Sequence, residues 1–143
     1  MLRPFVSLLL TGLLATVATG CGDDNPVTPT ETQAQSYIDV YTGQLGVGAT
    51  GFYAFTVVAP GTAAITLGSV TDAASGRALD TALELGIGIP AGQGCHVTRA
   101  VTVSPGLAAH LQQPLTDGVY CVQLRDVGRL RVLVNFGVRI LHT

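Results

Sequence analysis

The chain has no tryptophan and no lysine, and all seven of its basic residues are arginine. Charged residues make up only 11%, against about 25% in an average globular protein. With a net charge of −2 and no basic run, the electrostatic footprint of a nucleic-acid binder is missing. No Gly-x-Ser-x-Gly elbow, no Cys-x-x-Cys pair and no glycine-rich loop leading a strand into a helix occurs. The residue patterns of an acyl-transfer nucleophile, a thiolate metal knuckle and a phosphate cradle are therefore absent. The longest apolar stretch, Phe5 to Val17, holds 13 residues, fewer than the about 20 that a helix needs to cross a bilayer.

Hydrophobic residues are abundant at 48%, and 18 glycines punctuate them. From Tyr37 onward, short apolar runs alternate with Gly, Pro, Asp and Asn, and several runs show the period of two that marks a half-buried strand. In Thr81 to Ile89, Leu83, Leu85, Ile87 and Ile89 share one face, opposite Ala82, Glu84, Gly86 and Gly88. Leu130 to Leu141 is the longest such run, with Leu130, Val132, Val134, Phe136, Val138 and Ile140 on one face. Phe52 to Val58, Ala63 to Val70 and Val119 to Arg125 behave alike. Ala59-Pro60-Gly61-Thr62 and Ser104-Pro105-Gly106 carry turn chemistry, Pro presetting one φ and Gly permitting the next. Only Leu107 to Gln113 offers a helical turn. The pattern predicts an all-β domain over 37–143, a two-sheet, mostly antiparallel β-sandwich of about eight strands.

Residues 1–20 have the order of a secretory signal: one positive side chain at Arg3, an apolar core, then the small residues Ala18, Thr19 and Gly20 before Cys21. That ending resembles the lipobox of bacterial lipoproteins, in which the thiol after the cleavage site carries the lipid. Ala18 stands where the motif usually has Leu. An ordinary signal peptide cut near Ala18, with Cys21 a free thiol, is the alternative. The segment 21–36 continues as GDDNPVTPTETQAQS, polar and proline-bearing, a composition too poor in apolar side chains to order itself and suited to a tether. Gly22 follows the anchor rather than Asp, which favours outer-membrane sorting in an enteric-type envelope. The expected location is the bacterial cell envelope, with the membrane as a partner through Cys21.

With Cys21 lipidated, Cys95 and Cys121 remain in a compartment where disulfides persist. A bridge between them would close a loop of roughly 26 residues and add about 3 kcal/mol on the chain-entropy account. His96 beside Cys95 is too few ligands for a structural metal site.

The stretches Tyr41-Thr42-Gly43-Gln44-Leu45, Gly51-Phe52-Tyr53-Ala54-Phe55-Thr56-Val57 and Gly118 to Gly128 resemble the bacterial pre-peptidase C-terminal (PPC) domain and its small lipoprotein relatives. The resemblance implies a jelly-roll-like sandwich that accompanies catalytic units without carrying a catalytic residue. Some related domains bind calcium, and Asp39, Asp72, Asp80 and Asp126 are hard oxygen donors. They form no Asp-x-Asp run, so no metal or other cofactor is expected.

Candidate chemistry is sparse. His96, His110, Asp72 and Asp80 are the residues that a hidden catalytic site would draw on. His142, one from the end, is expected in solvent. Glu84 reads as a solvated acid. Arg125, Arg129 and Arg131 flank the Asp126-Val127-Gly128 turn, where a local Arg–Asp pair is expected. Tyr37 and Tyr41 share a face with Asp39 and are the candidate ligand platform, since aromatic faces stack on sugars and partner side chains. The alternative is that these rings pack inside the sandwich. The expected function is a non-catalytic, envelope-anchored module that binds a protein or polysaccharide, with no nucleic-acid partner and no enzymatic activity. A structural lipoprotein without a specific ligand is the competing reading. The anchor makes a direct prediction: Cys21→Ala should move the protein from the membrane to the soluble fraction on fractionation, and a variant that stays with the membrane would reject the lipidation site.

Overall fold

The computed structural model describes residues 35–143. The signal sequence 1–20, Cys21 and nearly all of the tether 21–36 lie outside the described residues. Eight strands follow in chain order: β1 (Tyr37–Leu45), β2 (Thr50–Val57), β3 (Gly61–Asp72), β4 (Leu83–Ala91), β5 (Gly94–Val103), β6 (Leu111–Leu115), β7 (Gly118–Arg125) and β8 (Val134–His142). They form two four-stranded sheets in the orders β1-β8-β3-β6 and β2-β7-β4-β5. Every strand pairing is antiparallel. This interleaved order is that of a jelly roll, a two-sheet sandwich in which consecutive strands, apart from the β4–β5 hairpin, pass from one sheet to the other.

Period-two alternation builds the core. Leu83, Leu85 and Ile87 of β4, Val122 and Leu124 of β7, and Val134, Phe136, Val138 and Ile140 of β8 interlock with Phe55, Val57, Ile65 and Leu67 between the sheets. In β3 the alternation slips once. Gly68 is an extra residue between the pairs Leu67↔Val138 and Ser69↔Gly137. This β-bulge lets Leu67 and Val70, three apart, both point inward.

Four sequence expectations need correction. The last strand begins at Val134, not Leu130; Leu130 is buried from a loop, while Val132 is 42% exposed. The cause is Asp126, whose Oδ1 accepts the N–H groups of Arg129 and Leu130 and holds that segment in a turn. Leu107 to Gln113 forms no helical turn; its end starts β6, which pairs with β3 through Gly61↔Leu115 to Ile65↔Leu111. β6 is short and contains Pro114, features suited to a sheet edge. Ile89 stays on the inner side of β4 but is 55% exposed, because it lies past the cover of the facing sheet and lines a cleft with Gln113, Pro114 and Leu115. Ala59-Pro60-Gly61-Thr62 joins β2 to β3, which lie in different sheets, and Gly61 is already the first residue of β3 rather than a left-handed turn position. A Cβ there would come within 2.6 Å of the Thr143 hydroxyl oxygen, so glycine is needed for close approach.

Cys95 and Cys121 are bonded, with Cα atoms 5.8 Å apart and a sequence separation of 26. They join β5 to β7 across the intervening β4, on the outer face of their sheet. Gly88 pairs with Cys121 there. A Cβ on Gly88 would collide with the carbonyl of His96, so the glycine face of β4 lets β5 fold close over it. β5 carries its own irregularity: Ile87 pairs with Arg99 and Gly88 with Val97, leaving Thr98 as the extra residue, its hydroxyl donating to the Ile87 carbonyl at 3.2 Å.

Two loops are tied by one carboxylate. Asp126, 6% exposed, accepts Gly48 N–H at 2.8 Å, Arg129 N–H at 2.7 Å and Leu130 N–H at 3.1 Å. Burial pushes this carboxyl up, but the donors Gly48, Leu130, Arg129 and Gly128 together outweigh it and hold it below the usual aspartate range.

Two predictions come from this architecture. Leu85→Ala should lose about 2–5 kcal/mol in urea unfolding through lost burial and a cavity, and Ile89→Ala about 0.5 kcal/mol or less; equal losses would contradict the placement of Ile89 at an open cleft. Asp126→Ala should lose about 1–3 kcal/mol by leaving backbone donors without an acceptor. Because the folded carboxyl is depressed, its contribution is present above the unfolded aspartate range and disappears as pH falls through the folded value. Acid unfolding curves should therefore converge for wild type and variant at low pH, and a constant gap would overturn this role.

Candidate functional site

The two sheets do not close at the edge where β1 faces β2. β1 ends its sheet beside β8, and β2 ends the other beside β7. A cleft of about 380 Å³ opens there, lined by Tyr37, Asp39, Tyr53, Phe55, Thr56 and His142 among others.

Each side chain reaches the cleft for a local reason. Tyr37, Asp39 and Tyr41 alternate along β1 and share its inward face, as their spacing predicts. Tyr53 and Phe55 alternate along β2 and answer them from the opposite sheet. His142 is carried in by β8, which pairs with β1 to its last residue, Tyr37↔His142. The backbone then continues into Thr143, whose carbonyl accepts Val58 N–H at 3.0 Å. This tie corrects the expectation that His142 lies in solvent: it is 5% exposed.

The cleft grades from open to closed. At the open end Tyr37 is 38% exposed, and its ring stacks on the His142 imidazole at 5.8 Å between centroids. His142 also leans on Phe55 at 5.1 Å. Further in, Tyr41 stacks on Tyr53 at 5.5 Å and meets the edge of Phe136 at 4.9 Å. The two candidate tyrosines thus part company. Tyr37 offers a ring to solvent, whereas Tyr41 is a half-buried packing ring, and burial pushes its hydroxyl pKa up.

Among the described residues, Asp39 is the only charged side chain of fixed sign lining the cleft. Its carboxylate Oδ2 lies 3.4 Å from His142 Nε2, with the Asp39 side chain about a third exposed at 34%. The other ring nitrogen, Nδ1, lies 3.2 Å from the Thr143 carbonyl oxygen. Both nitrogens therefore face oxygen acceptors, and a neutral imidazole has one N–H to donate.

The remaining candidate residues are placed apart from this cleft. His110 Nδ1 accepts Leu67 N–H at 3.1 Å, which holds the β5–β6 loop against β3. His96 is exposed on β5, opposite Ile89. Asp72 caps its own turn, accepting Ala74 and Ser75 N–H at 2.9 and 2.7 Å; hydrogen bonds from Ser75 hold its carboxyl below the usual range. Asp80 is exposed in the β3–β4 loop. Since β4 runs from that loop to the β4–β5 turn near His96, Asp72 and Asp80 lie at the opposite end of the sandwich from His96. Among the described residues no three His, Cys, Asp or Glu side chains gather closely enough to hold a metal ion.

Arg125 does not pair with Asp126. It forms a two-pronged bond with Glu84, its cross-strand neighbour, at 2.9 Å for each contact. Glu84 is thus an ion-pair partner rather than a free solvated acid. An exposed pair of this kind is worth about 0–1 kcal/mol. Arg129 and Arg131 are exposed and form no ion pair among the described residues.

The sequence pointed to Tyr37 and Tyr41 beside Asp39, but not to the meeting of β1 with β2 or to His142. That meeting is between strands in different sheets, and no local pattern encodes it.

Neither a protein-family model nor a curated protein sequence matches this chain. Among solved structures, the Yersinia pseudotuberculosis-derived mitogen is similar with a TM-score of 0.49 and 10% identity, over 76% of this chain and 88% of that one. A likeness of that depth carries no functional inference.

Proposed function

We propose that this chain is a non-catalytic lipoprotein module of the bacterial envelope, probing its surroundings with a β-sandwich related to PPC domains and binding a polysaccharide in the β1–β2 cleft. Cys21 carries the lipid, the segment 21–36 is the tether, and Gly22 favours the outer membrane.

One observation supports the ligand class above the others. Tyr37 presents an exposed ring that is braced from behind by His142 and sits beside the Asp39 carboxylate. A pyranose has an apolar face and a rim of hydroxyl donors. The first suits a fixed aromatic ring and the second suits a carboxylate acceptor. The brace matters because a ring already held in place loses little conformational freedom on binding. A non-catalytic role is supported by the separate structural duties of His110 and Asp72.

The test is a screen of envelope and environmental polysaccharide fragments, followed by titration calorimetry on the best binder. Tyr37→Ala should weaken binding by about 0.5–1.5 kcal/mol, roughly two- to tenfold. Phe52 is 42% exposed but lies on the outer face of β2, so Phe52→Ala should leave affinity unchanged. Equal losses from the two variants, or no saturable saccharide binding at all, would reject the proposal.

A further inference from the structure

Resting on the saccharide reading of the β1–β2 cleft, we infer that the cleft selects a sugar bearing a free, positively charged amine, and that Asp39 is the residue that selects it.

Among the described residues the charge in the cleft is one-sided. Asp39 supplies a carboxylate, and no described arginine lines the walls. Val40, the next residue on β1, pairs with Arg139, but both side chains sit one position out of phase with Asp39 and belong to the outer face of the sheet. Among the described residues the one cationic candidate that touches Asp39 is therefore His142, at 3.4 Å.

With a neutral imidazole, that contact leaves acceptor capacity unfilled. Asp39 Oδ2 and His142 Nε2 face each other, while Nδ1 faces the Thr143 carbonyl. The Thr143 carbonyl already accepts Val58 N–H. If the neutral ring donates from Nδ1, the Nε2 lone pair is aimed at a carboxylate. If it donates from Nε2, the Nδ1 lone pair is aimed at the carbonyl. In the first arrangement two acceptors meet at the cleft wall with no hydrogen between them, and an ammonium group, with three N–H donors and a full charge, can donate to both. Around this point stand the rings of Tyr37, Tyr53 and Phe55, whose electron-rich faces also attract a cation. A neutral hydroxyl would also donate to Asp39, but it brings no positive charge to the carboxylate or to the rings. An acetylated amine would bring one weak donor and a bulky acyl group.

The experiment compares two soluble probes of equal length on the full chain: glucosamine oligosaccharides and N-acetylglucosamine oligosaccharides, titrated at low and at raised salt. The amine form should bind about tenfold more tightly, the scale of a charged hydrogen bond, and the advantage should shrink as salt is raised because Asp39 is partly exposed. In Asp39→Asn, which keeps size and shape, the two probes should bind equally. The acidic tether residues Asp23, Asp24 and Glu31 remain in that variant, so an amine preference that survives the substitution would locate the attraction elsewhere and overturn the assignment to Asp39. Equal binding of both probes by the wild-type chain would overturn the amine preference while leaving a saccharide site. Failure of both probes to bind, alongside negative results in the wider screen, would remove the site itself. Far-ultraviolet circular dichroism and the melting temperature of Asp39→Asn check that the sandwich is unchanged.

Discussion

Two four-stranded sheets must bury one face each against the other, and no helix is available among the described residues to cover anything else. That single demand shapes the molecule. Inward positions become Leu, Ile, Val and Phe, while outward positions are mostly small, polar or glycine, with exposed exceptions such as Ile38, Val40, Phe52 and Val119. Where a strand must bend to stay on the core, it gains a residue, as at Gly68 in β3 and Thr98 in β5. The bulges keep apolar side chains inside at the expense of local ladder pairing.

The outer faces are managed separately. On the sheet that contains β4, glycines at 86 and 88 leave room for Val97 and the backbone of β5 to lie close. The Cys95–Cys121 bond then fastens that edge strand to β7. The bond adds stability by constraining the unfolded chain, and in place it ties the edge strand β5 to the interior strand β7. The strand at the opposite end of that sheet, β2, has no such bond. Its inner aromatics face β1 across the cleft, so the part of the sandwich least closed by packing is also the part richest in ring surface.

This coincidence links stability to the proposed binding cleft. Tyr41, Tyr53 and Phe136 fill the inner end of the cleft and belong to the core. Tyr37 and Asp39 stand at its mouth, held by the pairing of β1 with β8. His142 connects the two regions, since its burial depends on the tie between Thr143 and Val58 and its ring supports Tyr37. A binding surface built on paired strands is fixed before a ligand arrives, which lowers the entropy lost on association.

Fold class, strand count and the disulfide were legible in the sequence because each has a local signature. Alternation of Leu83, Leu85 and Ile87 needs only the geometry of one strand, and the pairing of Cys95 with Cys121 was expected on the reading of residues 1–20 as an export signal. The resemblance of the Gly51–Val57 and Gly118–Gly128 stretches pointed to a jelly roll, and those stretches form β2 and β7 with its turn. Errors arose where a distant group intervened. Asp126 holds Arg129 and Leu130 in a turn and so shortens β8, and the short facing strand β6 leaves Ile89 exposed. Arg125 chose Glu84, 41 residues away, over the adjacent Asp126, because cross-strand neighbours in a sheet are closer than their sequence suggests. The alternation along β1 placed Tyr37, Asp39 and Tyr41 on one face without help from the rest of the chain. Only the packing of two sheets decided that this face looks into a cleft, that Tyr41 is half-buried while Tyr37 is open, and that a histidine at the far end of the sequence stands behind it. Those are contacts between strands that share no hydrogen bond, and no residue's own preference can specify them.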